Sequence, residues 1–255
     1  MTGATTSTAA TRKLLTLLDE PPAEPDVSRG YLDLLDEGDR PDPGLIQRLM
    51  RTSLVPRIYE HYWRPSLARL AKGPIGPSMA GEHRIASDML ALRPGDTALD
   101  VACGTGAFTR TFARTVGSDG LAIGLDASPT MLARAVAETN PANVAYLRGD
   151  AVHPPLRASI VDGLCCYAAL HLFADPAAAL DGFARVLKPG GRLTVLTTLR
   201  PSWQPLRAVD SLSVALSGQR MFDRDELANL LRNKGFGDID QRAHGVIQIV
   251  GATKE

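Results

Sequence analysis

The chain has 255 residues, 44% of them hydrophobic, and its 28 Lys and Arg balance 28 Asp and Glu. That length and apolar content support a large core, read as one main domain behind an N-terminal extension, and the zero net charge without a basic, aromatic-interleaved run argues against nucleic acid or an anionic membrane as partner. No stretch approaches the roughly 18 apolar residues that span a bilayer, the N-terminus lacks the order of a signal peptide, and Cys103, Cys165 and Cys166 show no C-x-x-C spacing, so a reducing, cytoplasmic setting without membrane insertion is expected.

In chain order, residues 1–11 are Thr- and Ala-rich without periodicity and read as a frayed tail. Residues 20–43 are rich in Pro, Asp and Glu around the apolar run GYLDLL (Gly30–Leu35), a weakly structured extension that completes a first unit, 1–43. Leu45, Leu49, Leu54, Ile58 and Tyr62 recur as a buried helical stripe punctuated by Pro56 and Pro65. KGPIGPSMAGEH (Lys72–His83) reads as a loop, and residues 44–83 form a second, helical unit. A helix over Arg84–Leu92 leads into a first strand at Thr97, after which strands and helices alternate as in a parallel sheet.

The stretch LDVACGTGAF (Leu99–Phe108) carries the most information: an apolar strand with an acid breaks into a Gly-x-Gly turn and then a helix, on which Phe108, Phe112 and Val116 share a face. Gly104 and Gly106 allow backbone to approach a ligand closely, and Cys103 between them and the strand reads as a small packing residue. Dinucleotide-binding proteins use G-x-G-x-x-G/A at this place, but the third position here is Thr109, which weakens a pyrophosphate reading. A second strand, LAIGLD (Leu121–Asp126), also ends in an acid, placed to accept from both ribose hydroxyls. VAYLRGDA runs from Val144 past Asp150. A fourth strand, Ile160–Cys166, precedes a helix over Pro176–Leu187 that Pro189, Gly190 and Gly191 stop, and Arg192–Leu199 makes the fifth strand. Pro201–Arg220 is an insertion. After a helix over Asp223–Lys234, the stretches Phe236–Arg242 and Val246–Thr253 lie too close for a parallel crossover and are expected to pair as an antiparallel hairpin.

The serial acids Asp100, Asp126 and Asp150, with LKPGGRL (Leu187–Leu193), resemble the class I S-adenosylmethionine-dependent methyltransferases, nearest the ubiquinone/menaquinone-biosynthesis subgroup, over about Arg84–Lys254. The resemblance implies a Rossmann-like, doubly wound α/β sheet, mostly parallel with an antiparallel last strand, and a helical N-terminal extension. Residues 84–255 would be the methyltransferase domain, with a lid insertion at 201–220 and residues 44–83 as a cover over the active site. S-adenosylmethionine is the implied cofactor: Gly104 and Gly106 would face its methionine moiety and ribose, Asp126 the ribose hydroxyls, Ala127 and Met131 the adenine face, and Asp150 with Ala151 the adenine edge. Asp100 would organise the turn or reach the amino group through water, and Ala102 and Tyr167 complete the expected cofactor contacts. Some actinobacterial members carry an N-terminal zinc ribbon, and GYLDLL followed by LMRTSLVPRIYEHYWRP is similar to its exit; the metal-binding cysteines are absent here, which implies a degenerate ribbon.

Methyl transfer from a sulfonium is an in-line displacement driven by alignment at about 3–3.5 Å, so no metal is expected. Ligands of open α/β sheets bind beyond the carboxyl ends of the strands. Tyr59, Tyr62, Trp63 and Trp203 are candidates to line that space for a small, partly apolar acceptor methylated at oxygen or carbon. His171, in CYAALHLFAD after the fourth strand, is the candidate catalytic base for a hydroxyl acceptor; His61 is a second, and His83, His153 and His244 read as peripheral. The alternatives are an NAD(P)-dependent oxidoreductase, disfavoured by Thr109 and the reversed hairpin, an inactive cofactor-binding subunit, and an RNA methyltransferase, disfavoured by neutral charge and the missing cysteines.

Overall fold

Strands that are apolar throughout and helices that are apolar on one side combine into an eight-stranded sheet in a computed structural model, which describes residues 9–35, 76–138, 141–201 and 220–255. The elements are α1 (Ala9–Leu17), β1 (Leu32–Asp33), α2 (Met79–Leu90), β2 (Thr97–Val101), α3 (Ala107–Val116), β3 (Leu121–Asp126), α4 (Pro129–Ala137), β4 (Val144–Arg148), β5 (Val161–Tyr167), a 3-10 turn (Leu170–Leu172), α5 (Pro176–Val186), β6 (Leu187–Thr198), α6 (Glu226–Asn233), β7 (Phe236–His244) and β8 (Ile247–Lys254). The strand order is β1-β4-β3-β2-β5-β6-β8-β7. Pairing is parallel from β1 to β6, and β8 runs antiparallel to both β6 and β7. The doubly wound sheet and the reversed hairpin expected from the sequence are both present.

From β2 the chain winds outward through β3 and β4, then returns to β5 on the other side of β2 and winds the opposite way into β6. The loops that follow β2 and β5 therefore leave their neighbouring strand ends in opposite directions, and a crevice opens between them at the carboxyl edge. One face buries Met89, Phe112 and Val116 of α2 and α3 against Ala98, Ala122 and Cys165. The other buries Leu14, Phe183 and Leu231 of α1, α5 and α6 against Leu99, Ile123, Leu164 and Val195. Covering both faces is what makes β2, β3 and β5 read as continuous apolar runs.

Residues 9–11, at the end of the expected frayed tail, are helical, and the expected weak extension contains a strand, while residues 1–8 lie outside the described residues. Ala10 and Leu14 lie one turn apart on α1 and pack with Leu18 onto the sheet, while Leu32 and Asp33 add β1 beside Leu147 and Arg148 of β4. A nine-residue helix and a two-residue strand hold too few periods for a sequence pattern to declare them. The expected loop at Lys72–His83 turns helical at Met79, because Ser78 accepts the Gly81 N–H (3.2 Å) as N-cap. The strand expected over Arg192–Leu199, β6, starts at Leu187, since Leu187 pairs with Val161 before a bulge. Residues 36–75 and 202–219, which hold most of the expected cover and insertion, lie outside the described residues. Among the described residues no helix is long and apolar enough to cross a membrane.

Leu14 is fully buried against strands of the main sheet. Leu14→Ala is expected to lower the unfolding free energy in urea by about 2–5 kcal/mol; a loss below roughly 0.5 kcal/mol would show α1 to be separable from the core.

Candidate active site

The chain leaves β2 through Ala102 (φ 55), Gly104 (φ 55) and Gly106 (φ 75), and Gly106 caps α3. Left-handed backbone costs a residue with a Cβ about 1–2 kcal/mol. Ala102 adopts it at the end of β2, and Ala168 (φ 56) adopts it at the end of β5, so the strain stands on both sides of the crevice. A Cβ on Gly104 would meet nothing within 4 Å; the bare backbone there borders open space at the carboxyl end of β2. Gly106 is different, because a Cβ there would strike the Tyr146 hydroxyl and come within 3.0 Å of its ring. Tyr146, from β4, is buried and props the loop from beneath, and burial pushes its hydroxyl pKa up to about 12. Burial likewise raises the Cys103 thiol, which favours its neutral form.

Asp126, at the end of β3, accepts the Gly104 N–H on Oδ2 and the Ser128 N–H on Oδ1, both at 2.8 Å. The second bond forms a tight turn that places Ser128 as N-cap of α4, where its hydroxyl accepts the Met131 N–H (3.3 Å) and Pro129 fills the first helical position. Ala127 and Met131 thereby sit on the rim beside Asp126. Asp100 is 3% exposed and accepts the Thr109 hydroxyl at 2.6 Å. Burial raises its carboxyl pKa to about 7; the Thr109 hydrogen bonds oppose that rise and the Asp126 charge adds to it. Thr109 thus fills with a buried, bonded side chain the position where a pyrophosphate site wants glycine for close helix–strand packing. Asp150, past the end of β4, accepts the Val152 N–H and pairs with His153 Nδ1, both at 2.8 Å, with Ala151 against the core.

Tyr167 closes β5 with its side chain on the α2/α3 face. Its hydroxyl lies 3.3 Å from Thr194 Oγ1, and its ring meets Phe108 edge-on at 4.8 Å. His83 of α2 stacks on Phe108 at 3.9 Å and bonds Thr111 Oγ1 through Nδ1 (2.9 Å), which ties α2 to the first turns of α3. His171 follows Ala168 in the 3-10 turn, with Nδ1 3.5 Å from Thr197 Oγ1 and its carbonyl accepting the Arg220 N–H (3.0 Å). Burial lowers its pKa to about 4, so it is uncharged at neutral pH.

The structure therefore brings Ala102, Gly104, Gly106, Asp126, Ala127 and Met131 to one edge, with Asp100 buried beneath the glycine turn. Tyr167 is packed on a core face, and Tyr59, Tyr62, Trp63, Trp203 and His61 lie outside the described residues. Sequence reasoning misses Tyr146 and the bond between Asp100 and Thr109. The one signal for the latter is a small hydroxyl residue one helical turn past Gly106, a position that faces back onto β2.

A doubly wound sheet ending in an antiparallel hairpin, with a glycine turn and strand-end acids where the winding reverses, is Rossmann-like architecture. A family model described as a methyltransferase domain matches residues 99–195. An uncharacterized methyltransferase of Synechocystis is 32% identical over 206 residues, covering 76% of this chain and 92% of that relative. A demethylmenaquinone methyltransferase of Geobacillus is 31% identical over 177 residues, covering 60% and 76%. The first few curated relatives that the chain matches are covered over only about half of their own length. Among solved structures, a SAM dependent methyltransferase from Aquifex aeolicus shares the fold with a TM-score of 0.53 at 19% identity, over 68% of this chain and 90% of that one. The chain belongs to the class I S-adenosylmethionine-dependent methyltransferase family.

Two outcomes follow from this geometry. Gly106→Ala is expected to destabilise by about 2 kcal/mol or more, and adding Tyr146→Phe, which removes the colliding oxygen, should recover part of that loss in thermal unfolding. Asp100 keeps its proton up to about pH 7 when folded but gives it up near 3.8 when unfolded. The folded state then binds more protons across that window, and stability falls as pH rises through it, by on the order of 4 kcal/mol. Denaturation at pH 4 to 8 should show this slope flattened in Asp100→Asn; an equal slope in both proteins would contradict the assignment.

Proposed function

We propose that this protein is an S-adenosylmethionine-dependent methyltransferase that moves a methyl group to oxygen or carbon of a small, partly apolar acceptor. The observation that carries the reading is the open cradle at Gly104 with the Asp126 carboxylate fixed beside it, at the winding reversal of the sheet. The bound cofactor would supply an electrophilic methyl carbon on a cationic sulfur. Asp126 would take the ribose hydroxyls on the lone pairs that face the crevice, Ala127 and Met131 would pack on the adenine, and Asp150 with Ala151 would meet its edge. Gly104 and Gly106 keep side chains out of the path of the methionine moiety. Asp100, buried under the turn, favours a positive charge above it once ionised.

His171 stands next to the strained end of β5, on the acceptor side of the crevice. As a neutral imidazole it can take a proton from a hydroxyl acceptor, with Thr197 fixing the ring. A quinone acceptor fits the name of the Geobacillus relative, a demethylmenaquinone methyltransferase, and a demethylated quinone is the first acceptor to try. The free thiols Cys103, Cys165 and Cys166 fit a reducing, cytoplasmic setting.

Calorimetry with S-adenosylhomocysteine tests the reading: wild type should bind, Asp126→Ala should bind at least tenfold more weakly, and NADH should give no heat. A wild-type protein that ignores S-adenosylhomocysteine would sink it. With a competent acceptor, turnover that depends on His171 should stay level from pH 8 to 6 and fall only toward about pH 4; a midpoint near the ordinary histidine value of about 6.5 would contradict the burial of the ring, and a pH profile and turnover unchanged in His171→Ala would remove His171 from the proton transfer.

A further inference from the structure

β4 ends in Arg148, whose guanidinium joins the N-terminal segment to the cofactor edge. Its Nη1 donates to both carboxylate oxygens of Asp33 at 3.0 Å and to the Leu35 carbonyl at 3.1 Å, while its Nε donates to the Ala127 carbonyl at 3.3 Å. The two charged side chains are each only 12% exposed. The main chain repeats the connection, with Leu34 N–H donating to the Arg148 carbonyl (3.0 Å) and Gly149 N–H to the Asp126 carbonyl (3.4 Å). Asp33 is held in its turn: its N–H donates to the Asp26 carbonyl (3.0 Å), and its Oδ1 accepts the Leu35 N–H (3.2 Å).

We infer that Arg148, aimed by Asp33, is a positioning residue for the nucleoside end of the methyl donor, setting the Asp126–Ser128 turn from which Asp126 meets the ribose and Ala127 the adenine. The inference rests on the methyltransferase reading of that edge. Arg148 acts through the Ala127 carbonyl and touches no ligand. A guanidinium is planar and rigid, so once Nη1 is seated on the carboxylate the direction of the Nε–H is fixed. Lysine has one terminal nitrogen and cannot serve both ends. A mostly buried ion pair adds little net stability over an apolar pair of similar volume, whereas here the pair fixes the height of a loop. The segment 26–35 thereby becomes part of the cofactor-binding unit, although it lies far away in sequence.

The test uses the full chain and calorimetry with two probes, S-adenosylhomocysteine and 5′-methylthioadenosine, which share the nucleoside but not the amino acid end. Arg148→Lys should weaken both by about tenfold and to the same degree. Asp33→Asn, which keeps the shape and halves the acceptor, should weaken both in the same direction and carries the test if Arg148→Lys does not fold. Because Asp33 acts through Arg148, the double variant should be within about twofold of Arg148→Lys alone. Folded variants with a lowered melting temperature but wild-type affinity for both probes would overturn the inference, as would a loss confined to S-adenosylhomocysteine. Wild type binding neither probe would instead reject the methyltransferase reading.

Discussion

The Asp126 carboxylate is the fixed point of the molecule's carboxyl edge. One oxygen holds the Gly104 N–H and the other the Ser128 N–H, so a single side chain ties the loop after β2 to the start of α4. Glycine takes the left-handed positions at 104 and 106 without strain, but Ala102 carries the cost of a Cβ there, and the carboxylate, with Tyr146 below, holds the loop on that path. The parallel register places Asp126 there: Asp100 pairs with Gly124, so Asp126 reaches one pleat beyond Asp100 toward the glycine turn.

Two carboxylates of different character result. Asp100 is buried, with its carboxyl pKa pushed up to about 7, while Asp126 lies at the strand end and accepts two backbone N–H groups. A cation above the turn would favour ionisation of Asp100 beneath it, which suits a sulfonium donor better than a pyrophosphate. Across the sheet's winding reversal from that turn, at the end of β5, His171 is uncharged at neutral pH because burial lowers its pKa to about 4. That division fits a reaction in which alignment supplies much of the rate.

The fold was legible where burial dictates composition. β2, β3 and β5 are covered on both faces and announce themselves as apolar runs, and the short spacing before β8 forces a hairpin. The glycine turn and the acid at the end of β3 were legible because a Gly-x-Gly after one apolar strand and an acid closing the next are residue types rare in that order. Tyr167 was harder: it stands at the right strand end, but the alternation that pairs it with Leu196 turns its ring into the α2/α3 core. Long-range partners were invisible. Arg148 and Asp33 are 115 residues apart, Tyr146 reads as one more strand residue, and Leu14 and Leu32 signal burial only once the sheet they cover exists.

The most direct measurement is a crystal structure of the protein grown with S-adenosylhomocysteine. The account predicts ribose oxygens within hydrogen-bond distance of the Asp126 carboxylate, the chain of the amino acid end passing over Gly104, and the sulfur opening toward Ala168 and His171. A ligand bound elsewhere, or a Gly104 cradle filled by a side chain of the protein itself, would contradict it.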